Sequence, residues 1–486
     1  MKQVHGVRAL WLALSVSTVP LTATAQNPSL QARAEEIVAG ASGDWGVVAW
    51  SVTREQPLIE INGSQPLIPA SNNKVFTAIW ALDEMGADHR FETALLVTGP
   101  IESGVLRGDV IIRGSGDPSF GYPPRVGHSL FVEEPMTPLR RMAQRLVSAG
   151  VRMVEGAVIG DPAVFDTILV GPSWPSDTGA GAAQYAPRVS GLPFQRNMIW
   201  VEATPTTGGA PAQVALDPPV DVVPLVSTVR TGGGRAVAVR RAHEDTIRIS
   251  GAVAGRGSNR YGVGVADPAL LTAGALALAL REAGIQVRGA PRVGRAPEGA
   301  TLVHRHVSIP LGMMIPFLNQ SSDNFFAEHI WKAAAAAAIG EGSYLRGGPA
   351  SALHFMHHAG VEAGQMYQFD GSGLSNHSRS SASALVRALV YAHQQPYSEL
   401  WHASLALAAD PGGTMNRLYR GTAAADNLHA KTGYIRRVRT LSGYVTAANG
   451  DLIAFSFLYN GGNTNGARTV QEELGVLLAE HGGAAP

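Results

Sequence analysis

Apolar residues recur at helical spacing from Leu30 to Ala39, then alternate with polar ones around Gly46 to Val52 and Leu58 to Asn62. Helical spacing returns from Ser71 to about Met85. The chain therefore opens as helix, two strands, helix. From about Glu92 to about Leu302 the pattern shortens into β-like runs cut by turns rich in Gly and Pro: Thr93 to Val97, Val110 to Arg113, Ala157 to Ile159, Val214 to Leu216, Ala236 to Val239 and Thr246 to Ile249. This stretch reads as an inserted, mostly β region made of two subdomains. After Pro310 helical spacing resumes, through Leu318, from about Phe325 to Ile339 where Gly340 ends it, around Ser351 to Ala359, and from Ser383 to His393. Strand patterns at Asn427 to Lys431, Leu441 to Ala447 and Leu452 to Tyr459 precede a last helix near Thr469 to Glu480. The outer parts, 26–91 and 303–486, read as two halves of one α/β domain around an insert at 92–302.

The first 25 residues break this pattern. Lys2 and Arg8 precede an apolar run from Ala9 to Val19, and Ala23-Thr24-Ala25 offers small residues for cleavage, so 1–25 is expected to be a secretory signal. That run falls short of the roughly 20 residues a membrane-spanning helix needs. An exported, periplasmic or otherwise extracytoplasmic protein without a stable membrane anchor is the expectation. The chain has no cysteine, which excludes disulfides, thiolate metal sites and cysteine nucleophiles. Lys+Arg and Asp+Glu balance at 38 each with no dense basic run, so nucleic acid is not an expected partner.

Lysine is scarce: only Lys2, Lys74, Lys332 and Lys431 occur, and the remaining basic residues are all arginine. Arginine keeps its proton at any working pH, whereas a buried lysine can release one, so the surviving amines are candidates for proton chemistry. Ser71-Asn72-Asn73-Lys74 opens a predicted helix, and residues three apart share a helix face. A serine hydroxyl is a weak nucleophile until a neighbouring base takes its proton, and an amine with a lowered pKa can do so. Ser322-Asp323-Asn324 lies between two predicted helices, where Ser322 can relay a proton to a leaving amine and Asn324 can hydrogen-bond a substrate backbone. Helix capping is the competing reading of this triplet. Lys431-Thr432-Gly433 is expected at the end of a strand. There the glycine permits close approach and the lysine and threonine suit a carboxylate. The backbone N–H of Tyr434, with that of Ser71, suits an oxyanion hole.

Together the three motifs form, in order, the S-x-x-K, S-D-N and K-T-G set of class A β-lactamases and penicillin-binding proteins. About 250 residues separate the first two motifs, far more than a compact β-lactamase uses. The chain resembles the low-molecular-mass class C penicillin-binding proteins, the D-alanyl-D-alanine carboxypeptidase/endopeptidase family. Gly114-Ser115-Gly116-Asp117-Pro118, Gly160-Asp161 to Asp166, Asp370 to Ser375, Gly413-Thr414, His429 to Gly433 and Leu441 to Tyr444 carry the resemblance. It implies a serine β-lactamase/transpeptidase-like α/β fold, an antiparallel sheet flanked by helices, with a large mostly-β insertion. It further implies Ser71 as the acylated nucleophile, Lys74 as its base, Ser322 and Asn324 as the second catalytic element and Lys431 as the third. Thr432, Gly433 and Tyr434 are the implied substrate contacts, peptidoglycan stem peptides the substrate, and β-lactams covalent inhibitors. No metal or cofactor is implied. Tyr434 departs from the family, which usually carries a small hydroxyl residue there, and Arg436 or Arg437 is a candidate to compensate.

Two other readings remain open. A β-lactamase needs fast deacylation, yet no E-x-x-x-N element lies between Ser322 and Lys431 to position a water. A non-catalytic peptidoglycan-binding protein would have no need of the complete nucleophile set. Lys332 is expected to be a surface lysine on its helix. The histidine groups 354, 357 and 358 and 304 and 306 lack a carboxylate in register or an H-E-x-x-H pattern, so neither is expected to hold zinc.

Overall fold

A computed structural model describes residues 29–123, 133–174, 185–233, 238–241, 246–254 and 257–483. The expected secretory signal at 1–25 lies outside the described residues, as does the start of the expected strand at Ala236.

The two outer parts of the chain build one antiparallel sheet of six strands. Their order is Gln56–Ile61, Asp44–Ser51, Leu452–Asn460, Val438–Thr446, His429–Ile435, Ala406–Leu407. The junction is a full-length pairing in which Asp44 faces Asn460 and Ser51 faces Ile453. Every interior residue of Leu452–Asn460 is buried, because helices cover both faces of the sheet and leave no solvated side to alternate with. Leu30–Ala39 and Thr464–Ala479 cover one face. The other face carries Asn73–Met85, Leu311–Asn319, Asn324–Ile339, Tyr344–His358 and Ala382–His393.

Asn73–Met85 is the centre of that second layer. Its residues from Asn73 to Leu82 are all buried, which is why its sequence is apolar around its circumference rather than along one stripe. Phe76 packs edge-on against Phe355 and Trp80 against Trp331. Burying such rings contributes about 2–3 kcal/mol each. This helix is therefore a rigid base for whatever precedes it.

The chain leaves this domain along Glu92–Val97 and returns along Thr301–Val307, which pair antiparallel in a second sheet with Val110–Arg113, Val158–Asp161 and Arg292–Val293. The ends of the intervening segment thus lie side by side. Two helices that the periodicity did not reveal, Thr137–Ser148 and Pro268–Glu282, pack against this sheet. The second is uniformly apolar, yet its start was marked in the sequence by Asp267, whose carboxylate accepts from Leu270 N–H, and by Pro268 in the first turn.

Lys332 corrects the expectation of a surface residue. Its side chain is 0% exposed, and Nζ donates to Asp166 Oδ1 at 2.6 Å and to the Ile168 carbonyl at 2.9 Å. It crosses from Asn324–Ile339 to the inserted segment because the helix faces that segment rather than water. Burial lowers its pKa, and Asp166 opposes that shift. Removing one partner of a buried pair leaves the other uncompensated, at a cost of roughly 3–5 kcal/mol. Lys332→Met is expected to lower the urea midpoint of unfolding by a corresponding amount, monitored by tryptophan fluorescence; an unchanged midpoint would show that the pair contributes nothing.

Candidate active site

The segment before Asn73–Met85 tightens into a 3₁₀ turn, Ala70–Asn72, entered by Ala70 at φ +46°. Ser71 lies on this turn, partly exposed, while Lys74 begins the buried helix one turn later. Lys74 Nζ donates to Ser71 Oγ at 3.0 Å, Asn324 Oδ1 at 2.7 Å and the Ser372 carbonyl at 2.9 Å. Burial lowers its pKa to about 8; the carboxylates of Glu328, Asp370 and Asp323 keep it from falling further.

Ser322 and Asn324 fall in the junction between Leu311–Asn319 and Asn324–Ile339, as the pattern predicts. Ser322 sits at φ +55°, a left-handed conformation costly for a non-glycine residue and common at functional sites. Asp323 accepts from the N–H groups of Phe325 and Phe326, so the capping reading holds for this residue. It also pairs with Arg196, with distances of 2.7 and 3.2 Å to its two oxygens. Asn324 Nδ2 donates to the Tyr185 carbonyl at 2.7 Å.

Lys431-Thr432-Gly433 lies within the strand His429–Ile435 rather than at its end, because cross-strand pairing with Val438–Thr446 continues to Ile435. Lys431 Nζ donates to Ser322 Oγ at 2.9 Å and to the Thr432 carbonyl at 2.7 Å. Burial first, and then Lys74, push its pKa well below that of an ordinary amine. Thr432 Oγ1 donates to Thr414 Oγ1 at 2.9 Å. A Cβ on Gly433 would come within 2.0 Å of Thr440 Oγ1 on the neighbouring strand and 3.1 Å of Ser71 N, so glycine lets this strand lie close to the Ser71 turn.

The three motifs thus converge through direct contacts. Ser71, Ser322, Asn324, Thr432 and Tyr434 line one cleft of about 380 Å³, joined by Tyr185, Arg196, Ser321, Asp323 and Thr414. Lys74 and Lys431 lie beneath its floor, fully buried. Tyr434 and Tyr185 stand at the cleft, 59% and 47% exposed. Arg196 is the arginine that lines it. Arg436 and Arg437 sit exposed in the turn joining two strands and are not among the residues that line the cleft.

Several contributors escaped the sequence reading. Asn72 Nδ2 donates to the Lys431 carbonyl at 2.8 Å and its Oδ1 accepts from Ser442, while Thr440 Oγ1 donates to the Pro69 carbonyl at 2.8 Å. These bonds tie the Ser71 turn to the K-T-G strand. Asn72 stood in plain view inside the first motif, but its partners lie more than 350 residues away. The Asp370 to Ser375 segment, expected near the cleft, supplies the Ser372 carbonyl to Lys74. Gly373, at φ +80°, would place a Cβ 1.8 Å from the Ala70 carbonyl. Outside the cleft, His354 meets Asp83 at 2.8 Å and Glu84 at 3.4 Å, carboxylates from a neighbouring helix that the sequence did not reveal. His306 packs against Phe120.

A model of the D-Ala-D-Ala carboxypeptidase 3 (S13) family matches residues 29–481. A D-alanyl-D-alanine carboxypeptidase of Actinomadura sp. (strain R39) is 32% identical over 461 residues, covering 90% of this chain and 81% of the relative. D-alanyl-D-alanine carboxypeptidase DacB of Haemophilus influenzae is 25% identical over 429 residues, covering 86% of each. The crystal structure of penicillin binding protein 4 (dacB) from Haemophilus influenzae has the same fold, with a TM-score of 0.73 at 23% identity over 91% of this chain and 98% of that one. The match runs through both halves of the split domain and the insert between them, and the chain accordingly belongs to the D-Ala-D-Ala carboxypeptidase 3 (S13) family.

Proposed function

We infer that this serine-type D-Ala-D-Ala carboxypeptidase cleaves D-alanyl peptide bonds of peptidoglycan stem peptides through an acyl-enzyme on Ser71. The observation that carries the reading is the 3.0 Å contact between Ser71 Oγ and an amine wholly removed from water, Lys74 Nζ. In its neutral form Lys74 takes the hydroxyl proton as Oγ attacks the penultimate D-alanine carbonyl. The N–H groups of Ser71 and Tyr434 receive the developing oxyanion. As the C–N bond breaks, Ser322, hydrogen-bonded to Lys431, passes its proton to the departing amine, and the proton that Lys74 took from Ser71 replaces it, so that both side chains end the step neutral. Asn324 holds the peptide backbone, and Thr432 with Thr414 faces the terminal carboxylate. Water then hydrolyses the ester and returns the proton to Ser71.

Peptidoglycan lies beyond the cytoplasmic membrane, so the reading includes export directed by residues 1–25. No helix among the described residues is long and apolar enough to cross a membrane. Cleavage of a crosslink, where the leaving residue carries a second peptide, uses the same chemistry at the cleft lined by Tyr185 and Tyr434, so endopeptidase action belongs to the same proposal. Digestion of purified monomeric and crosslinked muropeptides is expected to give products lighter by one D-alanine and, from dimers, separated monomers. Unchanged masses with a folded protein would leave only a binding role.

Ser71→Ala is expected to fold normally and to lose all covalent labelling by a fluorescent penicillin; labelling that persists would remove Ser71 from its role. Because the neutral amine is the base, acylation should follow its population. The second-order rate constant for penicillin acylation is expected to rise with pH, about tenfold per unit below 8, and to level off above it. A profile flat from pH 6.5 to 9 would assign the proton transfer elsewhere.

A further inference from the structure

Glu328 is fully buried, one turn beyond Asn324 on the same helix, and has no part in the proton transfers above. Its carboxylate faces the backbone of the Asp370 to Ser375 segment. Oε1 accepts from Ser372 N–H at 2.6 Å, while Oε2 accepts from Gly371 N–H at 3.1 Å and from the Tyr344 hydroxyl at 2.9 Å. The same segment presents the Ser372 carbonyl to Lys74 Nζ at 2.9 Å. A Cβ on Gly371 would come within 2.5 Å of Trp331 Cβ and 2.7 Å of the Ala327 carbonyl, so the segment is pressed directly onto the helix that carries Glu328. Thr77, on the helix of Lys74, donates to the Gly371 carbonyl at 2.6 Å.

We propose that Glu328 is a positioning residue for acylation: it clamps the Gly371–Ser372 backbone so that the Ser372 carbonyl aligns the Lys74 amine, and its negative charge governs when that amine releases its proton. The proposal rests on the reading of Lys74 as the base. Its first support is geometric, since a buried carboxylate with three donors cannot move without releasing the segment that holds the amine. Its second is electrostatic. Among the charged groups acting on Lys74, Glu328 opposes the effect of burial most, ahead of Asp370 and Asp323. Glu328 is itself pushed up by burial and by Asp370, with its Ser372, Gly371 and Tyr344 bonds pulling the other way. Lys332 on the same helix also feels Glu328, and Asp166, paired to Lys332, acts on Tyr344.

The direction follows from charge. Neutralising Glu328 removes attraction for the Lys74 ammonium, so the amine loses its proton at lower pH. It also leaves an amide nitrogen facing backbone N–H donors, which loosens the segment.

The test is the pH dependence of penicillin acylation by wild type, Glu328→Gln and Glu328→Asp, with folding checked by circular dichroism and thermal melting. Glu328→Gln is expected to move the midpoint to lower pH and to lower the plateau by roughly ten- to a hundredfold through misplacement of the amine. Glu328→Asp keeps the charge on a shorter arm, so its midpoint should return toward wild type while its plateau stays low. A folded Glu328→Gln variant with an unmoved midpoint, or with a lower melting temperature and unaltered kinetics, overturns the proposal. If Glu328→Gln does not fold, Tyr344→Phe removes one donor from the same carboxylate and is expected to shift the midpoint in the same direction by less; no shift overturns the proposal. A wild-type profile without a rise near pH 8 would instead overturn the reading of Lys74, so the two failures are distinct.

Discussion

The Lys74 amine, kept out of water beside a serine hydroxyl, is the constraint around which the rest of this protein is arranged. An isolated buried ammonium is too costly to persist, so an amine there must either lose its proton or be given partners. Lys74 has both kinds of environment in balance: burial lowers its pKa to about 8, and three carboxylates at greater range stop it there. Lys431, equally buried, is pushed well below an ordinary amine by burial first and then by Lys74, its repulsive neighbour. Burial thus disfavours the charged form of Lys431 where its amine meets Ser322. The two lysines are chemically alike, and their surroundings make them different.

Holding that balance demands rigidity across remote parts of the chain. The Ser71 turn is bound to the K-T-G strand through Asn72 and Thr440, and to the Asp370 segment through Asn73, whose Nδ2 reaches the Asp370 carbonyl at 2.6 Å. Each of these three bonds ends on a backbone carbonyl, which fixes the position of a strand or loop instead of a single side chain. Gly433 and Gly373 are the complement of this arrangement. At Gly373 backbone approaches backbone more closely than any side chain allows, and at Gly433 a Cβ would run into the Thr440 hydroxyl of the neighbouring strand.

The motifs were legible because their chemistry is local: serine and lysine one helical turn apart, a capping triplet between helices, and lysine, threonine and glycine on one strand. The split domain was legible because strand and helix patterns stopped and resumed around the insert. What could not be read depends on partners far along the chain. Lys332 looked like a solvated helix residue because nothing near it announces Asp166, and Glu328 went unnoticed because its partners are backbone N–H groups of residues 371 and 372. The helix Pro268–Glu282 was missed for a different reason. A segment buried on nearly every side loses the periodicity that marks a helix, and only its cap residues remained as a signal.

The insert takes on a different meaning once its contacts are traced. Arg196 pairs with Asp323 in the middle of the second motif, and Trp174 donates to Asp370 Oδ2 at 2.8 Å. Ser173 meets Ser375 at 2.9 Å, and Asp166 holds Lys332. Arg196 and Trp174 end on two of the three carboxylates that hold the Lys74 proton, and Lys332 lies one turn from the third. The inserted segment therefore acts as a second wall that pairs with and shields the charges behind the Lys74 amine. Without it, Asp323 would lose its ion pair and Asp370 one of its donors, and both would face water in place of protein. The electrostatics of the site would then relax toward those of an exposed lysine, which holds its proton near pH 10 and cannot serve as a base. On this account the insert belongs between the first two motifs because the charges it must cover are those that the later motif-bearing segments bring to Lys74.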